Sequence, residues 1–265
     1  MLTDLPPPKE NLATAWMRDL KIAMIFFTRV PVAYDGALGL PELKRAWRAV
    51  PLVGAVIGAV GAGVYAAAHR LGLGPTIAAV LAVMATTLLT GALHEDGLAD
   101  FVDGGGGGRD RAGRLEIMRD SRIGTYGVLA LGFTGALRIA ALATIAAPYA
   151  VAVVLIAVHA VSRAAIPLAM TRMDPARGDG LAADAGKPAP TTLAIALGLA
   201  AVLALGLLGG VAGACVLLVA CMAAMIVAAV ARRLVGGYTG DVLGAVEQAA
   251  EVSILVALAG LSGAT

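Results

Sequence analysis

The feature that most constrains the fold is a series of long apolar runs separated by short polar segments. A helix that crosses the hydrocarbon core of a bilayer needs about 20 predominantly apolar residues, and most of the runs reach that length. The mean hydropathy of +0.86 also lies far above the range of soluble domains. The sequence therefore predicts an all-α, polytopic transmembrane helix bundle of about seven spans, forming one integral-membrane domain over residues 1–265. The predicted spans are residues 50–68, 76–93, 125–147, 149–171, 191–208, 212–231 and 252–261.

The N-terminal segment, residues 1–49, differs from the runs that follow it. Residues 1–10 are polar and proline-rich and lack the pattern of a cleaved signal peptide, so insertion is expected through the first span. Residues 12–30 combine apolar positions with charged ones, as in an amphipathic helix at the membrane interface or a short re-entrant element.

The basic residues outside the predicted spans are distributed unevenly between the two faces of the bundle. The loops of one face hold Lys44, Arg45, Arg48, Arg109, Arg111, Arg114, Arg119, Arg122, Arg172, Arg177, Lys187, Arg232 and Arg233. The opposite face holds Arg70. Cytoplasmic loops carry an excess of Lys and Arg, so the first face is predicted to be cytoplasmic. If the chain is an enzyme, its catalytic loops are expected on this face. The net charge of only +2 does not indicate a nucleic-acid partner.

A polar segment over residues 94–123, between spans two and three, gathers many of the acidic side chains. Asp96, Asp100 and Asp103 are spaced i, i+4, i+7, which places them in one stripe of a helix. Stacked carboxylates near a membrane surface are expected to bind a cation, and oxygen ligands suit Mg²⁺, Mn²⁺ or Ca²⁺. Asp120, which forms an i, i+4 pair with Glu116, is a candidate to complete the site. The alternative is a solvated acidic helix end.

A glycine run from Gly104 to Gly108 follows the carboxylates. Such a loop lets the backbone approach a phosphate, and Gly104 is the candidate contact, although a flexible hinge is the other interpretation. Arg119 and Arg122 are candidates to bind phosphate oxygens, or else are surface charges that set the topology. Acidic cluster, glycine loop and arginines together indicate metal-assisted phosphoryl transfer.

Four segments resemble the signatures of one enzyme family. Residues 94–104 (HEDGLADFVDG) and 116–127 (EIMRDSRIGTYG) resemble the central motif of the cobalamin synthase family, the adenosylcobinamide-GDP ribazoletransferases. Residues 27–31 (FTRVP) and 236–245 (GGYTGDVLGA) are similar to its other two signatures, in the expected order.

The resemblance implies a multi-pass enzyme of the bacterial inner membrane that acts late in vitamin B12 synthesis. Such an enzyme joins adenosylcobinamide-GDP to α-ribazole or its 5′-phosphate, releases GMP and requires Mg²⁺. The membrane lipid is an implied partner, and a homo-oligomer is possible. The implied sites are a metal centre at Asp96, Asp100, Asp103 and Asp120, with the same first three aspartates and His94 as catalytic residues.

Other polar residues carry candidate roles with open alternatives. His94 is either a base toward the attacking ribose hydroxyl or a partner that orients Asp96. Arg29 is a phosphate contact or an interfacial anchor, and Arg163, inside a span, is predicted to face a pocket. Asp241 and the i, i+4 pair Glu247 and Glu251 are candidates to hold substrate or metal, the alternative being a capped amphipathic helix end.

Three further polar residues lie in or next to the predicted spans. Arg138 lies inside a span, with a pocket role open, whereas His159 is predicted to be a packed, hydrogen-bonded core residue. Glu95, which departs from the apolar residue expected in the family, is either a spare ligand or a surface substitution.

Two rival functions remain at this stage. The Asp-x-x-Asp-Gly element at residues 100–104 is similar to part of the CDP-alcohol phosphotransferase signature, but Gly105 to Gly108 occupy the positions of its Ala-Arg. A divalent-cation transporter is the non-enzymatic alternative. It is expected to place acidic residues in the middle of spans, whereas here they are predicted at span ends and in loops.

Overall fold

The computed structural model describes residues 11–34 and 40–262, and the N-terminal residues 1–10 lie outside that range. The described chain is a bundle of helices joined by short turns. The helices are α1 (Leu12–Phe27), α2 (Leu40–Ala46), α3 (Val50–Arg70), α4 (Pro75–Thr90), α5 (Leu93–Gly107), α6 (Arg111–Ile117), α7 (Thr125–Ile145), α8 (Pro148–Met170), α9 (Leu181–Ala185), α10 (Pro190–Leu208), α11 (Gly210–Leu234) and α12 (Gly240–Ser262). A 3₁₀ turn, Trp47–Ala49, connects α2 to α3.

Six of the described helices, α3, α7, α8, α10, α11 and α12, are long and apolar enough to cross a membrane. The pair α4 and α5 adds a seventh candidate, confirming the predicted all-α bundle of about seven spans. These two helices meet at 88° across Gly91 and Ala92, both in the left-handed region with φ of 66° and 58°. Helix α4, of 16 residues, packs against α3 after a tight turn. Helix α5 lies across its end.

The centre of the bundle is α8, packed closely against α3. A Cβ at Gly54 would meet the backbone of His159, and one at Gly58 would meet the backbone of Leu155. Small residues four apart are what close helix contact in lipid requires. Helices α8 and α12 are largely buried in the protein, at 78% and 72%, whereas α7 and α10 are 22% buried and carry the lipid-facing positions.

Helix α12 corrects the predicted last span. The sequence places a polar segment at 236–251 before a span at 252–261, but the helix begins at Gly240, and Glu247 and Glu251 lie within it. The Thr239 hydroxyl accepts a hydrogen bond from Val242 N at 3.2 Å and so starts the helix. The two glutamates are tolerated there because arginines of neighbouring helices pair with them.

Helix α1 rests on the bundle through one face. Its buried Asp19 accepts a hydrogen bond from Arg45 Nε at 3.1 Å and from Arg48 Nε at 2.7 Å. Ile22 and Phe27 of the same face are also buried. The predicted amphipathic N-terminal helix is therefore present and is docked onto the segment that leads into α3.

Candidate active site

The three aspartates predicted to form a stripe lie together on α5. Their exposure falls along the helix, from exposed Asp96 through half-buried Asp100 to buried Asp103. Close packing of α5 on α12 brings a fourth carboxylate, Asp241, beside them: a Cβ at Gly97 would lie 3.0 Å from Asp241 Cα.

Asp100 lies in a strongly negative environment. Burial, followed by the charges of Asp96, Asp241 and Asp103, raises the pKa of Asp100 to about 7. Asp241 has one cation nearby, Arg177, whose Nη2 lies 3.6 Å from Asp241 Oδ2. The carboxylates on α5 and α12 therefore repel one another, and the metal centre expected at Asp96, Asp100 and Asp103 stays a prediction.

Asp103 also has a structural role that the sequence did not reveal. Its two carboxylate oxygens accept hydrogen bonds from Gly124 N at 2.7 Å and from Gly127 N at 2.9 Å. These N–H groups belong to the start of α7, where the backbone has free donors. Asp103 thus anchors the N-terminus of α7, and its predicted metal role stays a prediction.

The glycine run is not a loop, which corrects the predicted phosphate-binding role of Gly104. Residues 104–107 form the last turn of α5. A Cβ on Gly104 would lie 2.5 Å from Met118 Cγ and 2.9 Å from the Arg114 carbonyl oxygen, and one on Gly106 would meet the ring of Tyr126 at 2.6 Å. The glycines let α6 and the start of α7 pack tightly on α5, so Gly104 has no free surface for a phosphate.

Asp120, Arg122 and Arg119 lie on the surface. Arg122 Nη2 lies 2.7 Å from Asp120 Oδ2, and this hydrogen bond lowers the pKa of Asp120 to about 2. The described contacts of Asp120 are with Arg122 and do not include the carboxylates of α5, so its predicted place in the metal site finds no support here. Arg119 Nη2 donates to Asp179 at 2.6 Å and 2.8 Å, and both side chains are exposed.

A buried network links α4, α5, α7 and α12 and explains Glu95. Arg138 Nη1 lies 2.9 Å from Glu95 Oε1, and Arg138 Nε lies 2.8 Å from Glu251 Oε1. The Thr87 hydroxyl also donates to Glu95 Oε1 at 3.1 Å. Glu95 is therefore an internal ion-pair partner, neither a spare ligand nor a surface substitution. Arg138 is accounted for by the same pairs.

The network continues to Arg163 and Glu247, both predicted to contact substrate. Arg163 Nη1 donates to Glu247 Oε1 at 2.9 Å, and Ser162 Oγ donates to the same oxygen at 2.8 Å. On its other side, Glu247 Oε2 lies 3.4 Å from His94 Nδ1. Arg163 is 2% exposed and Glu247 0%, so the structure pairs these residues with each other and leaves them no surface for a substrate.

His159 of α8 is a packed core histidine, as predicted. Its Nδ1 lies 2.8 Å from Arg163 Nη1, and ligand atoms of His159, Glu247 and Glu251 lie within 4.8 Å of one another. Within the described part of the chain, this is the one group of three acidic or histidine side chains so close together. Arg138 and Arg163 already supply positive charge to it, which disfavours a metal ion there.

A cavity of about 160 Å³ opens beside the acidic helix. One side carries His94, Asp96 and Asp241, and the other side is aromatic and aliphatic. The Nε2 atom of His94 is buried and has no hydrogen-bond partner among the described residues. The cavity therefore combines carboxylates, a histidine and an apolar wall, as small-molecule sites do.

Comparison with protein families gives one match that covers most of the chain. Residues 19–259 match the family described as cobalamin-5-phosphate synthase. The chain belongs to this family. The resemblance that the signature segments indicated is thereby confirmed.

Named relatives agree with the family match. The chain is 48% identical over 241 residues to an adenosylcobinamide-GDP ribazoletransferase of Bradyrhizobium diazoefficiens, covering 91% of this chain and 93% of the relative. It is 45% identical over 249 residues to the enzyme of that name from Azorhizobium caulinodans, covering 91% and 94%. Comparison with solved structures gives no match.

Residues from three of the four segments that resemble family signatures meet at the cavity. Phe27 comes from the first segment, His94 and Asp96 from the central motif, and Gly240 and Asp241 from the last. Segments separated by more than 60 residues thus build one site.

Arg29 of the first family segment lies at the turn between α4 and α5. Its backbone N–H donates to the Leu89 carbonyl oxygen at 2.8 Å, and its exposed side chain lies against Gly91. This position is close to the start of the acidic helix, and its role in phosphate binding stays a prediction.

Arg177 is a site residue that the sequence reasoning did not single out. It belongs to a loop fixed by two hydrogen bonds, Ala176 N to the Tyr238 carbonyl at 2.8 Å and Tyr238 N to the Asp174 carbonyl at 2.9 Å. These bonds place Arg177 next to Asp241, and Arg177 Nη1 is buried without a partner in the described structure. One arginine among many in the loops carries no signal of this proximity.

Proposed function

We propose that this chain transfers phosphocobinamide from adenosylcobinamide-GDP to α-ribazole or its 5′-phosphate, with release of GMP. The observation that carries the proposal is the family match over residues 19–259, together with relatives named for this reaction at 42–48% identity. The cavity supports it, since residues of the three family signatures line its walls.

The residues beside the cavity fit a Mg²⁺ ion. Asp96, Asp100 and Asp241 offer oxygen atoms, and burial together with the neighbouring carboxylates raises the pKa of Asp100. Mg²⁺ is commonly held by one or two carboxylates together with substrate phosphates, so a preformed cage of protein ligands is not required. When bound, Mg²⁺ would neutralise the pyrophosphate and stabilise the departing GMP.

The chain's own side chains supply the remaining functions. Arg177, with its unpartnered Nη1, binds a phosphate oxygen of the GDP group beside Asp241. Arg119 and Arg122, whose exposed ion pairs are weak, reorient to bind the guanosine phosphates.

His94 Nε2 takes the proton of the attacking ribose hydroxyl. The ribose oxygen forms a new bond to the cobinamide-side phosphorus, and the bond from that phosphorus to the bridging oxygen of GMP breaks.

The membrane orientation follows from charge. We place the acidic helix and cavity on the cytoplasmic face of a bacterial inner membrane, because the loops of that face hold most of the arginines. The exposed apolar faces of α7, α10 and α11 support contact with membrane lipid. A homo-oligomer remains a prediction, as does the absence of a nucleic-acid partner.

The test is an assay of purified membranes with adenosylcobinamide-GDP and α-ribazole or its phosphate. Cobamide and GMP are expected in equal amounts with Mg²⁺ and neither after chelation of the metal. Asp100→Asn is expected to abolish GMP release while the protein still inserts, and the exposed Asp184→Asn serves as the matched control. Turnover in chelator, or full activity of Asp100→Asn, would contradict the proposed metal site.

A further inference from the structure

The cavity beside the acidic helix is too small for the proposed reaction in the form that the structure shows. Its volume is about 160 Å³. Pockets that enclose a drug-sized ligand measure roughly 300–1,000 Å³. Each substrate of the proposed reaction is at least as large as a nucleoside, and the reacting groups of both must meet in one place. At least one wall of the cavity therefore moves when substrate enters.

Two walls of the cavity are firmly held. Helices α5 and α12 meet backbone to backbone, since a Cβ at Gly244 would lie 3.0 Å from the His94 carbonyl oxygen. The aromatic wall is a continuous cluster in which the ring centroid of Phe27 lies 5.0 Å from that of Phe26 and 6.0 Å from that of Trp47. Displacing either wall would break close packing that buries apolar surface.

Helix α9 forms a wall that is held weakly. Its Ala182 lines the cavity. The loop that carries α9 is tied down by two ion pairs, Arg119 Nη2 to Asp179 Oδ2 at 2.6 Å and Lys187 Nζ to Asp174 Oδ1 at 2.7 Å. The four side chains are 41–87% exposed, and ion pairs in water contribute little to stability. Of these walls, α9 is therefore the one that can move at the lowest cost.

A glycine in the left-handed region lies at each end of α9. Gly180 precedes the helix with φ of 101°, and Gly186 follows it with φ of 62°. A Cβ at Gly180 would have no atom within 4 Å, so the backbone conformation, and not the available space, favours glycine there. Residues that absorb a change in φ and ψ at the ends of an element are what a hinged segment requires.

We propose that α9 is a lid over the cavity and that the structure shows its closed form. The lid pivots at Gly180 and Gly186 and lifts away from α2, which opens the cavity to substrates. Closure returns Ala182 to the cavity wall and excludes water, which would otherwise compete with the ribose hydroxyl for the phosphorus. This inference rests on the proposed function, because it takes the cavity as the place of phosphoryl transfer.

The rate of thiol labelling tests whether α9 opens. In a background without Cys215 and Cys221, the variant Ala185→Cys places a thiol on α9 at a position that is 2% exposed, so a maleimide reacts with it only when the helix lifts. Gly180→Ala is expected to raise this labelling rate about tenfold, because alanine is strained at a φ that the closed form requires.

The same loop offers matched controls. Gly178→Ala adds a methyl group in open space at a residue without a positive φ, and is expected to leave the labelling rate unchanged. A thiol at Ala176, which is 6% exposed and bonded through its N–H to the Tyr238 carbonyl, is expected to stay slow in both backgrounds. If Ala185→Cys does not accumulate, Ala182→Cys replaces it. Equal rates in the Gly180→Ala and Gly178→Ala proteins would overturn the lid.

A reversible cross-link tests whether opening is needed for turnover. The Lys44 side chain of α2 packs against Gly186, and the exposed Asp184 lies two residues before that glycine. In the variant Lys44→Cys with Asp184→Cys, a short reducible bis-thiosulfonate reagent is expected to tie α9 to α2 and to stop cobamide formation, and dithiothreitol is expected to restore it. Each single variant, treated in the same way, is expected to stay active.

The outcomes separate the lid from the proposed function. Full turnover of the cross-linked protein would overturn the lid. Absence of cobamide product from untreated wild-type membranes would refute the proposed function, whereas the labelling rates need no substrate and still report whether α9 opens.

Discussion

At the residue scale, Asp100 and Asp103 have different surroundings although both belong to one acidic stripe. Asp100 is half-buried among other carboxylates, which raises its pKa to about 7. Asp103 is buried and accepts two backbone hydrogen bonds from the start of α7. A loss of activity on substitution therefore has a different physical cause at each position.

The variant Asp103→Asn is expected to lower stability, because an amide can accept only one of the two hydrogen bonds and turns its NH₂ group toward the other N–H. The expected loss is about 1–3 kcal/mol, visible as a lower thermal midpoint in detergent. Asp100→Asn, in which no backbone bond is lost, is expected to keep or raise that midpoint. Equal midpoints for wild type and Asp103→Asn would show that the anchor of α7 is not important for stability.

At this scale the sequence predicted which residue types form the site, but not which partners most of them contact. The spacing of Asp96, Asp100 and Asp103 indicated one stripe, since it depends on a helical repeat alone. The partners of Glu95 and Glu247 could not be predicted, because Arg138 and Arg163 lie on other helices 43 and 84 residues away along the chain. Arg177 was missed for the same reason, since a loop contact to Tyr238 places it.

At the scale of secondary-structure elements, the glycine run acts as a packing surface. Helix α6 and Tyr126 approach α5 at Gly104 and Gly106 closely enough that a Cβ would collide with them. Sequence reasoning predicted a loop because glycine-rich loops let the backbone approach a phosphate, and glycine also weakens helices, by about 1 kcal/mol relative to alanine. Tertiary contact outweighs that preference here.

Two alanine substitutions distinguish packing from flexibility. Gly104→Ala is expected to lower the thermal midpoint, because the new Cβ would meet Met118 and the Arg114 carbonyl. Gly105→Ala is the matched control: its Cβ would meet only the end of the Leu234 side chain at 3.3 Å, so it is expected to be neutral or to stabilise the helix. Similar effects of the two substitutions would favour a flexible hinge instead.

At the scale of the whole molecule, five helices meet at a buried ionic network. Its members include Glu95, Glu247 and Glu251 on one side and Arg138 and Arg163 on the other. The prediction that acidic residues lie at span ends was wrong for the two glutamates of α12. Because they pair with arginines, these glutamates link neighbouring helices inside the protein. Carboxylates in the middle of spans would otherwise favour a divalent-cation transporter, but the family match favours the enzyme.

Removing one member of the network tests its contribution. Glu251→Ala removes the carboxylate that lies beside Arg138 and His159. Breaking a buried pair in this way typically lowers the free energy of unfolding by about 3–5 kcal/mol. A strongly lowered thermal midpoint, or failure to accumulate in the membrane, is expected. Glu116→Ala, at an exposed position of α6, is expected to resemble wild type, and an unchanged midpoint for Glu251→Ala would contradict the network's role.

Membrane orientation is tested by labelling with a maleimide that cannot cross the inner membrane. In a background without Cys215 and Cys221, a cysteine at the exposed position Leu71 is expected to react from outside, where the outer membrane is permeabilised. A cysteine at the exposed Ala112 of α6 is expected to react only after the inner membrane is opened. The reverse pattern would place the acidic helix on the periplasmic side.

The buried network also has a consequence for the order in which the protein is made. Arg138 and Arg163 lie on α7 and α8, which leave the ribosome long before α12 supplies Glu247 and Glu251. Until then Arg163 has no carboxylate partner, so α8 is expected to stay near the insertion machinery instead of moving into lipid. Arrival of α12 is expected to release it, so that assembly of the bundle is coupled to the synthesis of α12.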